Sequence, residues 1–358
     1  MNKIKLINLT IDNKGHYGLG ASACPFNKKY PLYLRITDIN DNSYVNDLST
    51  CIDPNVYSDY ENFILETNDI VFARTGNSTG RNYFYDGKFK NVVFAGFLIK
   101  FSLDPNKVVP QYVSYYCQSK KYKATIDSLS NGSTRKNLNA NQFGELEIPM
   151  YSSDMQQHIV NIIGSIDDLI EHKISILTKL EEFEYFIYLK ENLNDEKTLL
   201  FDKIQFIKGK KPTTFNDNGE KYLTIDALEN GNFTYTNDKK LVYCEENNIL
   251  MVMDGASSGK VYIGHQGIVG STLAKISTNI NPYYLYIFLK NNFKNISEHN
   301  TGSAIPHTNK DIIYNLKISN NIIPNKTYEK LLNIRISLNN EINKLRILKN
   351  NYLKKFFG

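Results

Sequence analysis

Six residues stand out as able to do chemistry: Gly255-Ala-Ser-Ser-Gly259-Lys260, just after an apolar run. A phosphate-cradling loop would sit there, but it needs four residues between its glycines and a hydroxyl residue after its lysine. Here three residues intervene and Val261 follows Lys260. That spacing argues against nucleotide binding. Asn281-Pro282-Tyr283-Tyr284 approaches the Asn/Asp-Pro-Pro-aromatic motif that a DNA methyltransferase needs, yet it lacks the second proline and no Gly-rich cofactor loop accompanies it. A proline in the first turn of a helix explains Pro282, and Pro105 of Asp104-Pro105 as well. The histidines, His16, His158, His172, His265, His299 and His307, show no metal-ligand spacing. Cys24, Cys51, Cys117 and Cys244 are scattered without a C-x-x-C pair, so they read as reduced, packed thiols. No cofactor, metal or catalytic residue is expected.

These positions belong to a repeat. Asp69 to Arg81 reads DIVFARTGNSTGR, and Asn248 to Lys260 reads NILMVMDGASSGK, in register at an offset of 179. Three further pairs follow in the same order. YLRITDINDNSYVND from Tyr33 matches YLTIDALENGNFTYTND from Tyr222. VVFAGFLIKFSLDPNKVVPQYVSYYCQSK from Val92 matches GIVGSTLAKISTNINPYYLYIFLKN from Gly267. NGSTRKNLNANQFGELEI from Asn131 matches NTGSAIPHTNKDIIYNLKI from Asn300. Four matches in one order imply an internal duplication.

Each half ends in a long helix. Ile162, Ile166, Leu169, Ile176, Leu180, Phe183 and Ile187 keep a spacing of three and four, interrupted by Lys173. Leu331, Leu338, Ile342, Leu345, Tyr352 and Phe356 do the same, interrupted by Arg335 and Lys349. Such repeats make a coiled-coil seam. Ser153 with Gln156 suggests a capping box at the first start, and Pro324 marks the second. The first helix would run roughly 55 Å at 1.5 Å per residue, too long for one small domain to cover, so the second helix is its expected partner. Before each helix, short runs of Tyr, Phe, Val and Ile broken by Gly, Asn and Asp read as strands and turns, with short helices at Gln111–Lys123 and Pro282–Asn292. The fold class is therefore mixed α/β (α+β): two globules joined by two long antiparallel coiled-coil helices, with a pseudo-twofold internal repeat. The expected segments are 1–151 and 196–322 for the globules, and 152–195 and 323–358 for the helices.

Charge says less. Lys and Arg number 42 against 37 Asp and Glu, a net +5, which permits a polyanion partner without requiring one. No run of eighteen apolar residues occurs and the first residues have no apolar signal core; a cytoplasmic location, neither secreted nor membrane-spanning, is expected.

The helices keep their pattern between the copies, whereas the loops diverge. Arg74 and Arg81 stand against Met253 and Lys260; Thr134-Arg135-Lys136-Asn137 stands against Ala304-Ile305-Pro306-His307. Similar folds with different loops suit the reading of two different short sequences. Lys and Arg suit phosphates, and Arg, Asn, Ser and Thr suit base edges. The candidate DNA-contacting residues are Arg74, Asn77, Ser78, Thr79 and Arg81; Ser133, Thr134, Arg135, Lys136 and Asn137; the basic loop Lys208, Lys210 and Lys211; Ser257, Ser258 and Lys260; and Ser303 and His307.

In this order of globule and helix, with the phrases GHYGLGASACPFNKKYPLYLRITDI, NDIVFARTGNSTGR, GSTRKNLNANQFGELEIPMYSSDMQQHIVNIIGSIDDLIEHKISILTKLEE and GKKPTTFNDNGEKYLTIDAL, the chain resembles the specificity subunit of Type I restriction–modification enzymes over essentially its whole length. The resemblance implies two target-recognition domains that read the halves of a split sequence in double-stranded DNA. It implies helices that set the gap and dock two modification (methyltransferase) subunits, restriction (translocase–nuclease) subunits that join the assembly, and no catalysis by this chain. An enzyme, methyltransferase or nuclease, with an unrecognised site and a coiled-coil protein adaptor are the alternative readings.

Overall fold

The computed structural model describes residues 2–45, 47–130, 137–193, 197–302, 304–319 and 323–358. They divide into two compact units: Met1–Asp168 with Ile347–Gly358, and Leu169–Arg346.

The centre of the first unit is an antiparallel sheet of β1 (His16–Tyr17), β2 (Asp69–Ala73), β3 (Asn82–Phe84) and β4 (Leu98–Ser102), in the order β1-β4-β2-β3. Side chains alternate between the faces of a strand. Ile70 and Phe72 of β2 therefore pack, with Ile99 and Phe101, against Tyr112, Tyr115, Tyr122 and Phe143. Val71 and Ala73 pack the other way, with Leu34, Val92 and Phe94. Both faces are covered, which is why DIVFA is entirely buried rather than alternating with polar residues. A second small sheet runs Cys24–Pro25, Thr50–Cys51, Leu32–Leu34, Val92–Phe94, its last pair parallel.

The second unit repeats the plan. Its main sheet is β5 (Ile204–Lys208), β6 (Ile249–Val252), β7 (Val261–Tyr262) and β8 (Leu273–Thr278), in the order β5-β8-β6-β7. Ile249 and Met251 face the cluster around Tyr283, Tyr284 and Ile296, while Leu250 and Val252 face Leu223 and Val269. A parallel pair, Glu220–Leu223 with Gly267–Val269, again lies in the second sheet. One detail ties the copies together: Tyr112 donates to the Pro149 carbonyl at 2.5 Å, and Tyr284 to the Ser319 carbonyl at 3.0 Å.

The long helices are α1 (Ser153–Glu191) and α2 (Asn325–Phe357). Within the second unit Lys173 meets Glu341, Glu184 meets Arg335 and Glu191 meets Tyr328. In the first unit Asp167 meets Lys349 at 2.7 Å, and Tyr151 donates to the Phe356 carbonyl at 3.0 Å. The numbers run in opposite directions, so the helices pair antiparallel in each unit.

Of the expected α2 stripe, Leu331, Leu338, Ile342 and Phe356 are buried, Leu345 and Tyr352 are half-buried, and Tyr328 extends the line. The α1 stripe matches only in part, with Ile166, Leu180 and Ile187 buried as expected. Its inward line is Ile159, Ile163, Ile166, Ile170, Lys173, Leu177, Leu180, Glu184, Ile187 and Glu191, whereas Leu169 is 50% and Phe183 47% exposed. The inward face carries charges, each matched by a partner on α2, and apolar spacing alone slides onto the neighbouring face. The capping box on Ser153 is replaced as well. Ser152 Oγ accepts from the Met155 N–H at 3.4 Å, while Gln156 turns inward to bond Val109 N–H at 3.0 Å and the Tyr151 carbonyl at 2.9 Å. Among the described residues no helix is long and apolar enough to cross a membrane.

Candidate nucleic-acid interface

The loop that resembles a phosphate cradle is a hairpin, built the same way twice. Ala73 N–H bonds the Arg81 carbonyl at 2.7 Å and Gly80 N–H returns to Ala73 at 2.9 Å. In the second copy Val252 bonds Lys260, and Gly259 returns to Val252, each at 2.9 Å. Gly80 (φ +89°) and Gly259 (φ +94°) lie in the left-handed region, and a Cβ there would come within 2.5 Å of Ile126 and 2.7 Å of Ile296. The glycines thus turn the chain against a packed helix. Ser258 is fully buried, its Oγ donating to the Gly255 carbonyl at 2.7 Å and the Pro306 carbonyl at 2.9 Å; it closes the loop instead of facing solvent.

Beside each hairpin, three positions converge at the sheet edge. In β1, Tyr17 pairs with Ile99, which pairs with Phe72; in β5, Lys208 pairs with Ala274, which pairs with Met251. Tyr17 and Lys208 are therefore equivalent. The residues just after β2 and β6 bridge the incoming segment, Thr75 with Asn137 and Asp254 with His307. The first globule presents Tyr17, Thr75 and Asn137 where the second presents Lys208, Asp254 and His307.

The chemistry of the two triplets differs. Asp254 Oδ2 lies 2.7 Å from Lys208 Nζ, and its Oδ1 lies 2.7 Å from His307 Nδ1. Burial pushes this carboxyl up, but Lys208 and His307 outweigh it and hold the group below its ordinary value. The first triplet is uncharged. Its cation comes from Arg74, whose guanidinium stacks 4.9 Å from the centre of the Tyr17 ring, a cation–π contact. Arg74 Nε is buried without a hydrogen-bond partner among the described residues. The buried Met253 takes its place in the second globule.

The remaining candidates fall into three groups. Arg81 and Lys260 are held by acids: Arg81 Nε lies 2.6 Å from Asp41, and Lys260 Nζ 2.6 Å from Glu229. Asn77, Lys210 and Lys211 are exposed, while Ser78, Thr79 and Ser257 are half-buried. Ser133, Thr134, Arg135, Lys136 and Ser303 lie outside the described residues. Sequence reasoning missed Tyr17, Thr75 and Asp254. A signal existed, since Thr75 and Asp254 stand in register at the same offset as the glycines. Among the described residues no group of His, Cys, Asp and Glu could hold a metal ion.

Fold and edge define a class: a duplicated chain of two mixed α/β globules, each followed by a long helix, with one rim built twice from different side chains. Residues 23–182 and 183–351 each match the Type I restriction modification DNA specificity domain, and the chain belongs to that family. In this family the specificity chain supplies DNA recognition and is not catalytic. The chain is 29% identical over 197 residues to the specificity subunit of the Type I restriction enzyme MjaVIII of Methanocaldococcus jannaschii, covering 50% of this chain and 45% of that protein. It is 36% identical over 66 residues to the MjaIX specificity subunit of the same organism, covering 18% and 15%. The chain thus spans about half the length of the first of these relatives, and less of the second. The crystal structure of the Type I restriction-modification S subunit from M. genitalium shares the fold, with TM-score 0.53 and 18% identity over 100% of this chain and 96% of that one.

Proposed function

We propose that this chain is the specificity subunit of a Type I restriction–modification enzyme and reads a bipartite sequence in double-stranded DNA, one half with each globule. The observation that carries the reading is the pair of triplets: Tyr17, Thr75 and Asn137 occupy the backbone positions of Lys208, Asp254 and His307. A shared frame with different polar side chains at one rim is what two different half-sites require.

In this reading Arg74, Asn77 and Asn137 of the first globule and His307 of the second reach base edges. Lys210 and Lys211 neutralise phosphates. Arg81, Lys208 and Lys260 are steered by their acidic partners. Ser78, Thr79, Ser257 and Ser258 shape the turns, and Ser133, Thr134, Arg135, Lys136 and Ser303 complete the contact set. The globules are 1–151 and 196–322; the helices, 152–195 and 323–358, set the gap between half-sites and dock two modification subunits, which restriction subunits join. The chain works in the cytoplasm and needs no cofactor of its own.

Selection of the full-length chain on a pool of random duplexes tests this. Two short specific blocks separated by a fixed unspecific gap are expected, and binding should weaken steeply with salt. A single continuous block, or no enrichment, would contradict the reading. Incubated with S-adenosylmethionine alone, the chain should leave DNA unmethylated and uncut.

A further inference from the structure

We propose that His307 is a specificity-determining residue of the second globule, with its Nε2 accepting a hydrogen bond from the exocyclic amine of one base, adenine N6 or cytosine N4. The inference rests on the DNA-reading function proposed above and gives it a chemical rule.

Position comes first. The His307 main chain is held on two sides, its N–H bonding the Thr301 carbonyl at 2.7 Å and its carbonyl accepting from Thr301 N–H at 2.9 Å. Its ring is tied at Nδ1, 2.7 Å from Asp254 Oδ1. The other carboxylate oxygen is occupied by Lys208 Nζ at 2.7 Å. Ring, carboxylate and ammonium therefore form one chain of contacts across the edge of β5 and the turn after β6. The His307 side chain stays 52% exposed, and Nε2 has no partner among the described residues.

Protons come second. Lys208, 2.7 Å from Asp254, outweighs burial and holds that carboxyl below its ordinary value, so it is ionised near neutral pH, and an ionised carboxylate has only acceptors. The hydrogen in the Asp254–His307 contact must then sit on Nδ1. A neutral imidazole with its hydrogen on Nδ1 has a lone pair on Nε2, and the bond at one nitrogen sets the role of the other. In the neutral ring, Asp254 is thus a positioning residue that makes Nε2 an acceptor. Phosphate oxygens offer acceptors only, so a neutral ring has nothing to give them through Nε2. In the major groove the donors are the amines of adenine and cytosine. An acceptor fixed in this way selects those bases against guanine and thymine. The first globule carries Thr75 and Asn137 here. The Asn137 amide both donates and accepts, so the same rule does not extend to its half-site.

The test uses the full-length chain and duplexes of the selected sequence. Wild type should restrict one position of the second half-site to adenine or cytosine. His307→Phe should lose that preference by about tenfold to a hundredfold, the cost of leaving one base amine unpaired, while the first half-site stays intact and reports a folded protein. Asp254→Asn should relax the same position toward guanine or thymine. Replacing the selected base by unsubstituted purine (for adenine) or 2-pyrimidinone (for cytosine) removes only the amine. Wild type should weaken by a similar factor, and His307→Phe should not respond. No adenine- or cytosine-restricted position, unchanged preferences in His307→Phe, or equal response of both proteins to the missing amine would overturn the proposal and leave DNA reading standing. A wild-type chain that selects no sequence would overturn both.

Discussion

The two globules share a backbone and differ at its rim. Where the first has a neutral triplet under a stacked arginine, the second has a lysine–aspartate–histidine chain beside a buried methionine. What is common is dictated by packing: strands buried on both faces, and glycines pressed against neighbours. What differs lies, Met253 apart, at the exposed or half-buried rim and makes few demands on the core. Divergence is therefore cheapest where a ligand would be read.

The largest test of this contrast lies beneath the rim. Counted from the helix starts, Ile163 of α1 corresponds to Arg335 of α2, and both are buried. Arg335 Nη2 lies 2.6 Å from Glu184 Oε1, its Nε 3.2 Å from the Tyr283 hydroxyl, and its guanidinium 5.3 Å from the Tyr286 ring centre. Arg335→Met leaves the buried Glu184 with only the Tyr283 hydroxyl and Lys290 Nζ, 3.4 Å away, as partners, and should cost about 3 kcal/mol in urea unfolding, the lower end for a broken buried pair. Adding Glu184→Leu should recover most of that loss.

The second test uses pH. Burial, aided by Lys221 and Arg335, pushes His265 down to about 4. Its folded value is below its unfolded one, so its contribution is complete above about pH 6.5 and is lost as pH falls toward 4. The second globule should lose about 2–3 kcal/mol across that window, and His265→Phe should flatten the loss.

A third test probes the shared frame. A Cβ on Gly18 would lie 2.3 Å from the Ala95 carbonyl oxygen, and one on Gly209 would lie 2.2 Å from that of Val269. Gly18→Ala and Gly209→Ala should each destabilise by about 1–3 kcal/mol. Markedly unequal losses would break the equivalence of the copies.

Much of this frame was legible from residue types. The register of DIVFA against NILMV, the placement of Asn137 opposite His307, and most of the α2 stripe follow from apolar spacing and repetition. The α1 stripe was legible only in part, because Lys173, Glu184 and Glu191 sit on its inward face and become tolerable only through partners far along the chain. Tyr17, Thr75 and Asp254 escaped because a tyrosine, threonine or aspartate near a strand end is ordinary until folding brings distant segments beside it. The Ser258 hydroxyl reads as a surface contact in sequence, yet the Pro306 carbonyl claims it.

The central claim is that each globule reads its own half of one DNA target. The direct measurement is the base preference of the full-length chain at every position of the selected duplex, for wild type, Arg74→Ala and Asn137→Ala. Each variant should lose about tenfold to a hundredfold discrimination within one block only, the same block for both, leaving the block altered by His307→Phe untouched. Loss spread over both blocks, or confined to the block that His307→Phe alters, would contradict the account.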